Sequence, residues 1–231
     1  MIHLLISAAV ALAAPAAAPT CPDVVTPDAL VCRALEAQKA GDAQSAAQAF
    51  EEAAKASPDK DPKTARLYAA AGNLWIEAKQ PGRAAFALDR ALALPGLEAE
   101  QHGEALLDRA RAAEAQNDLK TARAKLNEAA ASITADPFYW YFSAALAIRE
   151  QDKATAQAAI GKALTLAPSD PTILFEAGHV AFFAGDEDKA RSYWMRAAGN
   201  DPGGPVGKAA AKAAEMLGVT PMVKAEAQPP R

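Results

Sequence analysis

Apolar and polar positions follow a helical period along most of the chain, and the stretch from Pro171 to Pro202 shows it most clearly. Leu174, Ala177, Gly178 and Ala181 recur at the i, i+3, i+4, i+7 spacing that makes one buried stripe of a helix. Asp170 is placed to cap this helix, and Pro171 suits its first turn, where the missing N–H costs nothing. Gly185-Asp186 ends it. A second stripe, Ala190, Trp194 and Ala197, is stopped by Asn200-Asp201-Pro202. The pattern predicts two helices joined by a turn. Small residues at Gly178, Ala181, Ala190 and Ala197 let the helices approach closely, and Trp194 fills the space between them.

The same pattern returns upstream. A step of 34 residues back from Trp194 reaches Ile160, with Trp140, Ala144, Ala156, Ala163 and Pro168 in register and a Gln151-Asp152 turn. A further 34 reaches Leu126, with Ala110, Ala122 and Ala129 and an Asn117-Asp118 turn. Two steps of 38 then reach Leu88, with Tyr68, Ala71, Gly72, Trp75, Ala84 and Ala91, and Phe50, with Ala34, Ala46, Ala53, Pro58 and a Gly41-Asp42 turn. The second unit departs at its turn, Lys79-Gln80-Pro81-Gly82, and the third lacks the closing Pro, having Thr134.

Five units of this kind resemble the tetratricopeptide repeat (TPR), a helix-turn-helix of about 34 residues. The resemblance, to a protein of the exported bacterial type, covers residues 27–204. It implies an all-α fold: a right-handed superhelical TPR solenoid of about five helix-turn-helix repeats, with a C-terminal capping helix. Cap-plus-proline pairs mark the helix starts at Thr26-Pro27, Asp61-Pro62, Asp136-Pro137 and Asp170-Pro171. Asp61-Pro62 stands ahead of the second unit's register, so its first helix is expected to be about a turn longer. The first helix of the third unit is expected to begin early as well, near Leu97. Val206, Ala210, Ala213 and Leu217 share one face of a last helix, expected over 205–217, that would cover the exposed flank of the fifth unit. Residues 218–231 carry proline, glutamine and charge without a period and are expected to be a disordered tail.

Composition sharpens this picture. Alanine occurs 63 times, which favours helix and makes spacing a better guide than residue identity. A formal charge of −4 excludes the basic footprint of a nucleic-acid binder. Residues 1–18 combine an apolar run with Ala-x-Ala options and read as a secretory signal peptide cleaved near Ala16 or Ala18, followed by an extended lead-in over 19–26. No later stretch is apolar enough to span a bilayer, so no stable membrane insertion is expected after cleavage. Cys21 and Cys32 are the only cysteines, an even pair in an exported chain, and a disulfide between them would pin the lead-in to the array.

Candidate chemistry is sparse. The sequence holds no Gly-x-Ser-x-Gly, phosphate-binding loop, His-Glu-x-x-His or dinucleotide fingerprint, and no catalytic residue, cofactor or metal site is expected. The informative feature is aromatic. Phe138 to Phe142 are five consecutive aromatic residues, and Phe175, Phe182 and Phe183 follow one unit later. Consecutive residues point all round a helix, so they cannot all enter one core.

The TPR resemblance implies a concave groove lined by first-helix positions. In the fourth and fifth units these include Phe138, Tyr141, Arg149, Phe175, His179, Phe182 and Phe183. In the second and third they include Arg66, Asn73, Glu77, Leu107, Arg111 and Glu114. The groove is therefore expected to be charged toward its N-terminal half and aromatic toward its C-terminal half. Ala69 and Glu104 stand where the family's carboxylate clamp carries lysine, which argues against that specific function. The reading is a non-catalytic scaffold or adaptor of the cell envelope, periplasmic or secreted, that binds a protein or peptide. The alternatives are an envelope-assembly factor recognising cell-wall or outer-membrane components, or a non-catalytic subunit of an envelope enzyme complex.

Overall fold

The computed structural model describes residues 21–218. The expected signal peptide, the first two residues of the expected lead-in and the expected tail from residue 219 onward lie outside the described residues. Among the described residues there are eleven helices and no strand: α1 (Pro27–Lys39), α2 (Ala43–Ala56), α3 (Pro62–Glu77), α4 (Pro81–Ala93), α5 (Ala99–Ala115), α6 (Leu119–Ile133), α7 (Pro137–Arg149), α8 (Lys153–Leu166), α9 (Pro171–Ala184), α10 (Glu187–Asn200) and α11 (Pro205–Gly218). They form five hairpins in sequence, with α11 packed on α10 and α9.

The hairpins close on alanine. Ala46, Ala84, Ala122, Ala156 and Ala190 open the second helices, Ala53, Ala91, Ala129, Ala163 and Ala197 follow two turns later, and all ten are fully buried. With no more than a methyl group at these points the two backbones come close. The larger side chain between them (Phe50, Leu88, Leu126, Ile160 or Trp194) then reaches across to a small residue on the first helix. Where that small residue is glycine the contact is closest. A Cβ on Gly72 would sit 2.4 Å from Leu88 Cγ, and one on Gly178 would sit 2.1 Å from Trp194 Nε1. The tight packing of protein interiors makes such a site intolerant of even one added carbon.

All five hairpin turns share one backbone solution. A residue with positive φ (Gly41, Lys79, Asn117, Gln151 or Gly185) closes the first helix. The next N–H then reaches back five residues to a helix carbonyl, as from Asp42 to Ala37 and from Asp186 to Ala181, both at 2.9 Å. This is the Schellman closure, which satisfies carbonyls left over at a helix end. That next residue is also the N-cap of the second helix. Asp42, Asp118, Asp152 and Asp186 each accept from the N–H three residues on. These side-chain and backbone hydrogen bonds hold all four carboxyls below their ordinary range.

The second unit, whose Lys79-Gln80-Pro81-Gly82 departs in sequence, adopts the same turn, but Gln80 makes no capping bond through its side chain. Gln80→Asp is therefore expected to raise stability by about 1 kcal/mol at neutral pH. An aspartate cap has a folded pKa below its unfolded value. The gain is thus present above the ordinary aspartate pKa and disappears as pH falls through the lower, folded value. Thermal melts of both proteins at pH 7 and pH 3 check this.

The longer first helices are present. α3 has 16 residues and α5 has 17, against 13 in α1 and α7. α5 starts at Ala99 rather than Leu97, because Glu98 and Gln101 form a reciprocal capping box there. The extra turns meet each other: Gly96, at φ +115, lies against Pro62, and Arg66 donates to the Gly96 carbonyl and pairs with Glu98. At the N-terminus Cys21 and Cys32 form a disulfide, and the Arg33 guanidinium donates to the carbonyls of Pro22 and Val24. The lead-in is thus clamped to α1 from residue 21. Replacing both cysteines by serine is expected to cost about 2–3 kcal/mol through loop-closure entropy. Hydrogen exchange of α1 measured against that of α9 would localise the loss.

Candidate functional site

From α3 onward the first helices form a continuous inner row. α3 packs on α5, α5 on α7, α7 on α9 and α9 on α11, whereas among the described residues second helices of successive hairpins do not pack on one another. A stack of hairpins in contact along one row and splayed along the other curves toward the contacting row. The first helices therefore line its concave side, where the expected groove residues lie.

In the N-terminal half α3 and α5 enclose a cleft of about 510 Å³, lined by Arg66, Ala69, Asn73, Glu104, Leu107 and Asp108 among others. Asn73 and Arg111 both donate to Asp108, each at 2.8 Å, one to each carboxylate oxygen. Arg149, on α7, is committed to the hairpin before it. Its guanidinium donates to the Glu114 carbonyl, the Glu114 carboxylate and Asn117 Oδ1. Arg149 is thus a clasp between the third and fourth units.

The aromatic half separates into exposed and half-buried rings. Phe138 is 45 % exposed and Phe182 is 50 % exposed. Tyr141 is half-buried between α5, α7 and α9. Burial pushes its phenol pKa up, and the negative charge of Glu176 adds to the effect. Phe138 meets Tyr141 edge-on, with ring centroids 6.2 Å apart. On α9, Phe175 stands 4.4 Å from His179, and both His179 and Phe182 stack toward Trp194 at 5.6 and 6.1 Å. Trp194 reaches them by crossing α9 over Gly178, and its indole N–H donates to the Phe175 carbonyl at 3.0 Å. Tyr141 and Phe175 make no ring contact with each other; Tyr141 packs toward α9, and Phe175 packs toward α10 and α11.

Glycine or alanine beneath a large apolar residue and a Schellman turn recur through five hairpins, four of the turns carry an aspartate cap, and the first helices from α3 onward pack in an inner row. Residues 144–205 match the tetratricopeptide repeat family profile. The chain has the fold of a tetratricopeptide repeat solenoid. The TPR fold is shared with solved structures at low sequence identity. MamA superposes with a TM-score of 0.59 at 19 % identity, over 76 % of this chain and 92 % of its own. PilW, described as a widely conserved type IV pilus biogenesis factor, gives 0.66 at 19 %, over 79 % and 81 %. YrrB, described as a TPR protein with an unusual peptide-binding site, gives 0.55 at 17 %, over 80 % and 91 %. No curated protein sequence matches the chain.

Sequence reasoning about this TPR array missed Asp108. It lies one position beyond the repeat's groove-lining set, and its role as the acceptor joining Asn73 to Arg111 depends on how α3 and α5 are set side by side. Among the described residues no group of three or more His, Cys, Asp or Glu is arranged to hold a metal ion. No described helix is long and apolar enough to cross a membrane. What the arrangement offers is a long curved surface with polar groups held by one another at one end and solvent-facing rings at the other.

Proposed function

We propose that this protein is a non-catalytic scaffold or adaptor that holds a protein or peptide segment in the concave TPR groove, and that it works in the cell envelope, periplasmic or secreted. The observation that carries the reading is the aromatic half of the groove. Phe138 and Phe182 stand half in solvent on the concave row, backed by Tyr141 and Trp194, although a soluble chain gains nothing in stability from leaving them there. Rings held this way lose little entropy on binding and make good anchors. The disulfide at Cys21 and Cys32 and the signal-like N-terminus support an oxidising compartment. The pilus biogenesis factor among the structural relatives is compatible with an envelope role for this chain.

Phe138→Ser with Phe182→Ser is expected to change stability by about 1 kcal/mol or less, since much of each ring is already wet. The same pair is expected to weaken partner binding by about 2 kcal/mol or more, roughly thirtyfold. Phe86, 55 % exposed on second helix α4, is the control. Co-purification from envelope extract should lose its partners with the groove pair and keep them with Phe86→Ser. Equal retention by both variants rejects the groove.

A further inference from the structure

The groove's arginines are already engaged, and two of its carboxylates, Glu77 and Glu104, are not. Arg66 is held by the Gly96 carbonyl and Glu98, Arg111 by Asp108, and Arg149 by Glu114 and Asn117. Glu104, in the α3–α5 cleft, makes no hydrogen bond or ion pair among the described residues. Its carboxyl is pushed above the ordinary range, first by partial burial and then by the negative charges of Glu100, Asp108 and Asp136. An acidic ligand entering this cleft meets the same repulsion, whereas an ammonium or guanidinium group relieves it. One helix further along the inner row, Phe138 occupies the position in α7 that Glu104 occupies in α5, with its ring exposed beside Tyr141.

We propose that the groove takes an extended basic segment, in which a lysine or arginine seats against Glu104 in the α3–α5 cleft and an apolar side chain lies on Phe138 and Tyr141. Neighbouring helix axes lie about 8–10 Å apart, and an extended chain advances about 3.3–3.6 Å per residue, so the two side chains are about three residues apart in the ligand. The proposal rests on the groove being the binding surface and adds the chemistry of what it binds. Charge complementarity at the acidic end favours this partner in encounter as well as in register.

The test is a display library of random nonapeptides selected on the full chain, with enriched peptides remade carrying fluorescein and titrated by anisotropy. Enriched peptides should carry Lys or Arg with an apolar residue two to four positions away. Glu104→Lys should weaken them at least tenfold and Glu104→Gln by less, while both variants melt with the parent protein. Replacing the peptide's basic residue by serine should abolish the difference between parent and Glu104→Lys. Phe138→Ser should weaken the peptides whether or not the basic residue is present. If enriched peptides are acidic or neutral, sensitive to Phe138→Ser and indifferent to Glu104→Lys, the polarity is overturned and the groove stands. If no peptide is enriched, or none responds to Phe138→Ser, the groove and its polarity both fall.

Discussion

Trp194→Ala should lower the stability of the C-terminal hairpin by about 3–5 kcal/mol, the range for deleting a buried aromatic side chain. The indole is 4 % exposed, lies across Gly178 in the space between α9 and α10, and donates to the Phe175 carbonyl. Truncation opens a cavity at the point where Leu174, Ala181, Ala190, Ala197 and Ala210 converge, so α11 loses part of its seat as well. For a chain of this size each kcal/mol is worth about 2–4 °C of melting temperature, so a fall near 10 °C is expected. Gly178→Val should be comparably damaging by the opposite route, since its Cβ has no room beside the ring. Because repeats contact only their neighbours, amide exchange should accelerate in α9–α11 and stay near the parent value in α3–α5. Uniform acceleration along the array would show that the hairpins do not unfold as separate units.

A second large effect is expected at Glu51. This carboxylate of α2 is buried, and Trp75 of α3 donates its indole N–H to it at 2.9 Å. Lys55 and Arg83 pair with it, and the Arg83 guanidinium covers the Trp75 ring at 3.6 Å. Burial alone raises the Glu51 pKa, but the hydrogen bonds from Lys55 and Trp75 and the charges of Lys55 and Arg83 outweigh it, and the net shift is downward. Glu51→Ala strands the indole N–H in a dry site and should cost about 2–3 kcal/mol. Trp75→Phe in the Glu51→Leu background should cost less than the same change in the parent, because the orphaned donor is then gone. Glu51 is depressed in the folded state, so its contribution is present above the ordinary glutamate pKa and is lost as pH falls through the folded value. Urea melts of Glu51→Ala and of the four proteins of the Glu51→Leu, Trp75→Phe cycle at pH 7, with the parent repeated at acid pH, measure the cost and the coupling. Additive costs would show that the indole and the carboxylate do not depend on each other.

Much of the architecture was legible in the chain because each hairpin is built from local rules. The i, i+3, i+4 stripes, the cap-proline starts and the Gly-Asp or Asn-Asp turns act within a few residues of one another, and α7, α9 and α10 begin and end where those signals stand. The irregular second turn was misleading only in its residues. Backbone hydrogen bonding requires the Schellman closure there too, and Lys79 accepts the positive φ that glycine would have taken without strain. Which of the expected groove residues stand in solvent was not legible. Phe138 and Phe175 belong to the same expected lining, yet one stands out in solvent while the other folds onto the Trp194 cluster, because α11 packs beside α9 and offers it a surface.

By itself the sequence determined the helices, their pairing into hairpins and the small-against-large contact that closes each one, since these depend on side-chain volume and spacing inside a single repeat. Only the tertiary structure decided the contacts between repeats: Asn73 reaching Asp108, Arg149 clasping Glu114, and Glu51 lying under Trp75. Those pairs are separated by a helix or more along the chain. They meet through the angle at which one hairpin settles on the next, and no periodicity of apolar residues carries that angle.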